Sequence, residues 1–188
     1  MGGRKLKDVT EYHLKGQPGE ANTIRVGDIV LITPVEGKLR YIGKLEKLFP
    51  DRTTGKMKVK VRWYYRPHEA KGGRRTFHGN AELFLSDHYD EVWAEAMEGK
   101  CKVHSFRKYT ALDDAGPNDF YCRFEYKPQT GAFAPDKIPV YCICEMPYNP
   151  DDPMVQCEMC NDWYHFNHWL ACTRFMHGMT NDWGHSSE

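Results

Sequence analysis

The 188-residue chain carries 26 Lys and Arg residues against 26 Asp and Glu residues, so its formal net charge at pH 7 is zero. Aromatic residues make up 13% of the chain, which is enough for a packed core and excludes a disordered protein. Residues 1–80 hold 18 basic and 8 acidic side chains, and residues 81–188 hold the reverse. This division fits two kinds of partner, such as nucleic acid and a basic peptide, or neighbouring lobes that neutralise each other.

Membrane insertion and secretion are not predicted, because the chain has no apolar run of 18 residues and no signal segment at its start. We therefore expect an intracellular protein. Four of the seven cysteines form the pairs Cys142-x-Cys144 and Cys157-x2-Cys160. In a reducing compartment this spacing predicts a metal site rather than disulfides, and the distant Cys101 and Cys122 are predicted to be buried thiols.

The folded part is predicted to begin after a loose basic arm over residues 1–22, which is polar and has no period. Residues 24–32 form a β-rich run that ends at Thr33-Pro34 and a turn at Glu36-Gly37. A second strand is predicted from Tyr41 to Phe49, and the polar stretch 50–55 turns the chain back into a third.

The third strand carries two aromatic rings on one face. Val59, Val61, Trp63 and Tyr65 alternate with charged or polar residues until Pro67 ends the strand. Trp63 and Tyr65 therefore point the same way and form half of an aromatic cage, which binds a quaternary ammonium through cation–π attraction. The alternative is that both rings fill a core.

The remaining elements predict a small all-β domain. A basic loop over 68–80, with Lys71-Gly72-Gly73-Arg74-Arg75, either contacts phosphate or is simply solvated. Further strands are predicted at 82–85, 100–106 and 120–126, with a helix N-cap at Ser86 or Asp87 and a short helix over 91–98 that Gly99 stops. Short strands with turns between them predict an antiparallel barrel or sandwich, and a Pro-containing linker follows over 128–139.

Five segments of residues 24–138 have the motifs of a known domain: Val26-Gly27-Asp28-Ile29-Val30-Leu31, Arg62-Trp63-Tyr64-Tyr65-Arg66-Pro67, Glu82-Leu83-Phe84-Leu85-Ser86-Asp87-His88, Glu98-Gly99-Lys100-Cys101 and Phe120-Tyr121-Cys122-Arg123-Phe124. Through these segments, residues 24–138 resemble a bromo-adjacent homology (BAH) domain, in particular that of the plant BAH–PHD histone readers known as Short Life and Early Bolting in Short Days.

The resemblance implies a nuclear chromatin reader that represses flowering genes. It implies a cage for trimethyl-lysine at position twenty-seven of the histone H3 tail, built here from Tyr41, Trp63 and Tyr65. His88 and Asp90 match the loop that lines the peptide groove. The strand pattern independently predicts that Trp63 and Tyr65 share one face, whereas only the resemblance assigns Tyr41 to the cage.

A second group of residues has the spacing of zinc ligands. Cys142, Cys144, Cys157, Cys160 and His165 follow one another in an order suited to tetrahedral zinc, and a structural role is the default. The stretch 141–165 resembles a plant homeodomain (PHD) finger that reads trimethyl-lysine at position four of the H3 tail. By that resemblance two zinc sites interleave, and four residues stand at the positions of a second cage: Tyr141, Tyr148, Met154 and Trp163. Trp163 has the alternative of a core residue under the zinc.

The chain departs from the PHD pattern after His165. His168 stands where the family has a Cys, and no closing Cys-x2-Cys pair follows before Glu188. The first site is expected to be complete with Cys142, Cys144, His165 and His168. The second zinc site keeps only Cys157 and Cys160, and Cys172 and His177 are candidates for its two missing ligands. The alternative explanation for the missing pair is a truncated or alternatively spliced end.

The predicted organisation is thus an arm (1–22), a mainly β BAH domain with short helices (24–138), a small zinc-bound PHD finger incomplete at its C-terminal end (139–168) and an irregular tail (169–188). The favoured function is a non-enzymatic reader that binds methylated histone H3 on nucleosomes and recruits repressive chromatin complexes. The alternative is a nucleic-acid-binding module that grips phosphates with its basic half and stacks aromatic rings on bases.

Overall fold

The computed structural model describes residues 9–14, 23–34 and 39–168. The predicted turn at Glu36-Gly37, the tail 169–188 and most of the arm lie outside this part of the chain. Contacts divide the described residues into two compact units. The first contains the residues up to Arg74 together with Ala81–Asp136, and the second contains Arg75–Asn80 together with the residues from Lys137 onward.

The first unit is built almost wholly from strands. Where the structure describes this unit, its strands are β1 (Glu11–His13), β2 (Thr23–Arg25), β3 (Ile29–Ile32), β4 (Tyr41–Pro50), β5 (Met57–Tyr65), β6 (Glu82–Trp93), β7 (Met97–Ser105), β8 (Asp119–Lys127) and β9 (Ala132–Ala134). Single 3₁₀ turns occupy Pro67–Glu69 and Ala94–Ala96, and helix α1 covers Phe106–Tyr109. The prediction of a mainly β domain with short helices is confirmed.

The strands close into a barrel that is not purely antiparallel. The sheet runs in the order β6-β5-β4-β3-β7-β8-β9, and a further pairing of β6 with β8 closes it. The β6–β8 and β7–β8 ladders are parallel, so the prediction of an antiparallel barrel was wrong on this point. The reason is the crossover through α1, since the segment between Ser105 and Asp119 is long enough to bring β8 back in the direction of β7.

The predicted helix over 91–98 was also wrong. Strand β6 continues to Trp93, where Lys58↔Trp93 and Lys60↔Glu91 pair across the ladder with β5. Only Ala94–Ala96 form a helical turn, and β7 begins at Met97. Buried Ala94 and Met97 pack into the core, so pairing and burial override the local helical preference.

Two clusters of buried side chains lie on opposite faces of the β3–β4–β5 part of the sheet. One is formed by Leu14, Ile24, Val30, Ile32, Leu45, Leu48, Val59, Val61, Ala94 and Met97, and the other by Leu31, Ile42, Leu83, Cys101 and Phe120. Part of the predicted loose arm belongs to the first cluster, because β1 pairs with β2 and Leu14 is buried. This part of the arm is folded because Val9, Tyr12 and Leu14 make apolar contacts with the first cluster.

A buried ion pair joins β6 to β8 in the barrel. Arg123 donates from Nε to Glu82 Oε1 and from Nη2 to Glu82 Oε2, both at 2.8 Å, while the Tyr121 hydroxyl donates to Oε2 at 3.2 Å. The Arg123 guanidinium also lies 4.4 Å from the centre of the Phe106 ring. The Glu82 side chain is fully buried, so its charge depends on these donors.

The described residues of the second unit form two small hairpins and a loop from earlier in the chain. Strand β10 (Val140–Tyr141) pairs with β11 (Met146–Pro147), and β12 (Met154–Gln156) pairs with β13 (Trp163–His165). Asn149 donates from Nδ2 to the Thr76 carbonyl at 2.9 Å, and the Asn80 N–H donates to Asp151 at 2.6 Å. Residues 75–80, part of the basic loop that was predicted either to contact phosphate or to be solvated, therefore belong to this unit, because backbone groups of 76 and 80 bond to side chains of 149 and 151.

Within the described ranges, no helix has the length and apolar character needed to cross a membrane.

Candidate functional site

An open cavity of about 270 Å³ lies on the first unit, at the end of β5. Its lining combines aromatic rings with carboxylates: Tyr41, Trp63, Tyr64, Tyr65, Glu69, His88 and Asp90. The structure thus brings together all five residues that the sequence and the BAH resemblance predicted for a methyl-lysine cage and its groove. Tyr64 and Glu69 were not predicted.

The β4–β5 register sets Tyr41 beside Trp63. Gly43 stands directly opposite Trp63, so Tyr41, two residues earlier on the same face, is its diagonal neighbour. The Tyr41 and Trp63 rings meet edge to face, with centroids 5.9 Å apart and planes at 66°. A side chain at Gly43 would place its Cβ 3.1 Å from Val61 Cβ, so the glycine lets the strands pack tightly below the two rings.

A bulge in β6 brings His88 to the cavity. The pairs Arg62↔Tyr89 and Tyr64↔Leu85 leave residues 86–88 opposite Trp63 alone. Ser86 fixes the bulge, because its hydroxyl donates to the Trp63 carbonyl at 2.8 Å and accepts the His88 N–H at 3.1 Å. This role explains why Ser86, predicted as a helix cap, lies in a strand instead.

Tyr65 is held from two sides. Its hydroxyl oxygen lies 2.8 Å from His88 Nδ1, and its ring packs against Tyr126 with centroids 5.5 Å apart. Burial raises the pKa of the Tyr65 hydroxyl, and the nearby Tyr126 and the negative charges of Glu69 and Asp87 raise it further. The hydroxyl therefore stays neutral and keeps the ring oriented.

The charge of the cavity favours a cation. Glu69 and Asp90 bring two carboxylates to a wall that is otherwise largely aromatic. One Glu69 oxygen accepts the Arg66 N–H at 2.7 Å, which fixes the side chain in the turn after β5. Aromatic faces and fixed carboxylates together attract a weakly hydrated ammonium group.

Trp63 serves both interpretations that the sequence left open. Its ring packs against the larger core cluster, as does that of Tyr41, and both also line the cavity. Each is partly buried rather than enclosed, so one side of the ring supports the barrel while another faces the cavity. Glu69 had no sequence signal, because it lies in a 3₁₀ turn outside the strand period.

The second unit holds a cluster of four side chains suited to a metal ion. One ligand atom from each of Cys142, Cys144, His165 and His168 lies within 4.8 Å of all the others. Cys142 Sγ is 3.3 Å from His168 Nδ1, and Cys144 Sγ is 3.4 Å from His165 Nδ1. Tetrahedral zinc with its usual bond lengths separates such sulfur and nitrogen ligands by about 3.5 Å, so the donor set fits zinc.

The surroundings of the cluster suit metal binding as well. His165 Nε2 lies 3.8 Å from an Asp152 oxygen, the carboxylate contact that commonly orients a ligating histidine. Burial raises the pKa of the Cys142 thiol, but hydrogen bonds from backbone N–H groups and from His165 and His168 outweigh it and lower the pKa to about 6. Cys142 also has φ of 65°, which turns the chain tightly around its sulfur.

The other predicted ligands are not assembled among the described residues. Cys157 is buried against Cys142 and Tyr164, whereas Cys160 is exposed with its sulfur 3.4 Å from the Tyr164 hydroxyl. Cys172 and His177 lie outside the described residues. A second metal site therefore remains a prediction.

The predicted cage of the finger is spread over both hairpins. Tyr141 lies in β10 and Tyr148 directly follows β11, while Met154 and Trp163 stand diagonally across the β12–β13 ladder. Trp163 is 42% exposed, so the alternative of a core residue under the zinc is wrong. The cage itself stays a prediction.

Comparisons with known proteins agree with the geometry of the first unit. A family model described as BAH domain matches residues 22–137. Over 160 residues the chain is 55% identical to the chromatin remodeling protein EBS of Arabidopsis thaliana, covering 85% of this chain and 67% of that protein. Over 144 residues it is 57% identical to the chromatin remodeling protein SHL of the same plant, covering 76% and 63%. The chain thus spans about two thirds of the length of these relatives.

Among solved structures, the yeast Rsc2 BAH domain is similar with a TM-score of 0.53 and 22% sequence identity, covering 69% of this chain and 53% of that one. At this level of identity the likeness establishes the fold.

Proposed function

The chain belongs to the BAH-domain family and within it to the group of the Arabidopsis EBS and SHL proteins, and on this basis we propose that it is a chromatin reader. Its BAH unit binds trimethyl-lysine at position twenty-seven of the histone H3 tail. Tyr41, Trp63 and Tyr65 form the cage, and His88 and Asp90 line the groove that holds the peptide.

The cavity is the observation that carries this proposal. The three proposed cage rings and the Tyr64 ring line one open space of about 270 Å³, and Glu69 and Asp90 add negative charge to its wall. A trimethyl-ammonium has a low hydration cost and no N–H to satisfy, so aromatic faces compensate it more completely than they would a lysine ammonium. The strands of the barrel also hold the aromatic side chains of the cage in place, so the cavity exists before the peptide binds.

For the second unit we propose a PHD-type finger that holds zinc at Cys142, Cys144, His165 and His168. The fit of the four ligand atoms to a tetrahedral zinc ion supports this assignment. Zinc would supply folding energy rather than chemistry, because four protein ligands leave no open coordination position. Reading of trimethyl-lysine at position four by Tyr141, Tyr148, Met154 and Trp163 belongs to the same proposal.

The names of the relatives, both chromatin remodeling proteins, support a role at chromatin, and the resemblance to the BAH–PHD readers supplies the rest of the cellular role that we propose. As a nuclear, non-enzymatic protein the chain would bind nucleosomes that carry methylated H3 and retain repressive chromatin complexes there, with control of flowering as the outcome.

Titration of the whole chain with a trimethylated H3 peptide tests the proposed cage. Since a cation–π contact contributes roughly 0.5–2 kcal/mol, Trp63→Ala should weaken binding by about tenfold or more. Trp93→Ala is a matched control, because Trp93 is 42% exposed and ends β6 away from the cavity. Calorimetry gives the affinities, and circular dichroism verifies that both variants fold.

A folded Trp63→Ala protein with the affinity of the parent would exclude the cage. Since Trp63 and Tyr41 both pack on the larger core cluster, Tyr65→Ala provides a second test at the end of β5, and it should show a loss of similar size.

A further inference from the structure

A ladder of basic and aromatic side chains lies on one face of β5 and β6. Val59 and Val61 point into the larger buried cluster on the opposite face. The residues that alternate with them therefore stand on the outer face, and the register with β6 sets them in three cross-strand pairs: Arg62↔Tyr89, Lys60↔Glu91 and Lys58↔Trp93. These six residues, hereafter the outer ladder, all lie in the first unit.

Each ring of the outer ladder has a cation beside it. Lys58 Nζ lies 4.9 Å from the centre of the Trp93 ring. Lys60 Nζ and Arg62 Cζ lie 5.3 Å and 5.9 Å from the centre of the Tyr89 ring. The side chains that carry the rings nevertheless remain open to solvent, with Trp93 42% and Tyr89 47% exposed. Because large aromatic side chains are mostly covered, two open rings among fixed cations indicate a surface that takes a partner.

The cations of the outer ladder are held in place and only partly neutralised. Arg62 Nε donates to a backbone carbonyl of β6 at 2.6 Å, and the guanidinium lies 3.7 Å from Glu125. Lys58 Nζ lies 3.2 Å from Asp51. In the described part of the chain, no carboxylate forms an ion pair with Lys60. The middle of the ladder therefore offers an ammonium group to an anion.

We propose that the outer ladder binds single-stranded RNA. Exposed rings on a sheet stack on unpaired bases, and neighbouring cations complement the charge of the phosphates. Tyr89 and Trp93 stand four residues apart on one strand, a distance of about 13 Å. This spacing leaves room for a base on each ring, with the connecting phosphates over Lys60. A duplex fits less well, because its bases are already paired and stacked.

Glu91 distinguishes RNA from other polyanions. It is exposed opposite Lys60, and within the described ranges its carboxylate makes no ion pair or hydrogen bond. A carboxylate repels phosphate but accepts a hydrogen bond from the ribose 2′-hydroxyl, which DNA lacks. An acidic peptide would meet the same repulsion and would bring no bases for the two rings.

The outer ladder is separate from the methyl-lysine cavity. Asp90 lines the cavity, whereas its chain neighbours Tyr89 and Glu91 belong to the ladder, because successive residues of a strand point to opposite faces. The RNA site goes beyond the proposed reader function and does not depend on the cage. A chain that holds RNA and a methylated tail together is retained more strongly where both are present.

Fluorescence anisotropy of the whole chain with a labelled single-stranded RNA of mixed sequence, about twelve nucleotides long, tests this site. Trp93→Ala should weaken RNA binding by at least about fivefold, because it removes one stacking ring, and should leave the salt dependence nearly unchanged. Lys60→Gln should have the complementary effect. The slope of log affinity against log salt should become less steep by about 0.7, the value for one phosphate contact of a single strand.

Matched controls change the same residue types elsewhere. Trp63→Ala removes a cavity ring on the other face, and Lys108→Gln removes an exposed cation of α1, so both should leave RNA binding nearly unchanged. Equal losses in the two tryptophan variants, or equal salt slopes in the two lysine variants, would overturn the proposal. If Trp93→Ala lowers the melting temperature, Tyr89→Ala is the second ring variant and must show the loss.

Titration with the trimethylated H3 peptide separates this site from the cage. Trp93→Ala should lose RNA binding and keep peptide binding, whereas Trp63→Ala should do the reverse. A failure of the cage and a failure of the RNA site are therefore distinguishable.

Other ligands form the remaining arms of the experiment. The RNA should bind about twofold to tenfold more tightly than single-stranded DNA of the same sequence, and Glu91→Ala should narrow this ratio. Equal affinity for the single-stranded DNA would overturn the assignment to RNA. Duplex DNA or an acidic peptide of equal charge that binds as tightly as the RNA, and loses as much affinity in Trp93→Ala, would show that another ligand occupies the ladder and that the RNA proposal is wrong.

Discussion

The two units of the chain support their candidate sites in different ways. In the first unit, the cavity lies on a closed barrel whose buried clusters are formed by other side chains, such as Leu45, Val59 and Leu83. In the second unit, the buried cluster of described residues is Cys142, Cys157 and Tyr164, and the first two are themselves predicted metal ligands. In the first unit Tyr41 and Trp63 only flank the core, so a mutation in the cavity leaves the buried cluster itself in place, whereas in the second unit the candidate metal ligands are themselves the buried cluster.

Metal removal should produce the largest difference between the units. Structural zinc contributes on the order of 10–16 kcal/mol to the folding of small zinc-finger peptides, so a strong chelator or Cys142→Ser should unfold the second unit. The first unit should keep its peptide affinity, because its buried clusters contain no predicted metal-ligating residue. Limited proteolysis with mass spectrometry would locate the unfolded region.

Elemental analysis sharpens the same comparison. After dialysis against a mild chelator we expect close to one zinc per chain, and Cys160→Ser should retain it because Cys160 lies outside the four-residue cluster. Two retained ions would contradict this expectation and would indicate that Cys172 and a tail histidine complete a second site.

Breaking the buried ion pair should have the next largest effect. Glu82→Gln leaves the Arg123 charge without its buried partner, and such a loss destabilises a protein by about 3–5 kcal/mol. The first unit should lose this stability in urea, while the zinc content of the second stays unchanged. Glu125→Gln is the control, on β8 two residues after Arg123, because the Glu125 side chain is 65% exposed and its ion pair with Arg62 is 3.7 Å long.

The stability change must differ between the two variants for the comparison to hold. If Glu82→Gln and Glu125→Gln melt alike, the barrel does not depend on the buried charge pair at the β6–β8 junction.

The smallest effect should come from the hydrogen bond between Tyr65 and His88. Tyr65→Phe removes the hydroxyl and keeps the ring, so the peptide affinity should fall by about 0.5–1.5 kcal/mol, while unfolding changes little. A double-mutant cycle with His88→Ala, measured by calorimetry, isolates the pair. Additive losses would mean that His88 contributes to binding without orienting Tyr65.

Sequence patterns predicted the residues of the candidate sites more reliably than the fold around them. The alternation Val59, Val61, Trp63, Tyr65 correctly placed two rings on one face, because a strand repeats every two residues wherever it lies. The cysteine spacing likewise indicated a metal site, but the grouping of Cys142 and Cys144 with His165 and His168 was implied by the PHD resemblance. Resemblance, and not spacing, also supplied Tyr41.

Three features were decided only by tertiary structure. The 91–98 segment became strand and 3₁₀ turn because β5 offered hydrogen bonds and the core offered burial to Ala94 and Met97. The parallel β8 pairings depend on where the crossover returns the chain, which local propensity does not encode. Glu69 lines the cavity from a 3₁₀ turn that comes after β5, and the alternating pattern of the strand does not extend to this turn.

The sequence by itself thus determined the local pairs in both sites, because Trp63 and Tyr65 lie two apart in one strand, and the Cys-x-Cys and His-x2-His pairs each lie within a few residues. The tertiary structure decided which distant residues join them. Tyr41 meets Trp63 through strand register, and His88 meets Tyr65 through a bulge in β6. Register and bulges are set by the packing of the whole barrel, so no local pattern in the chain reveals them.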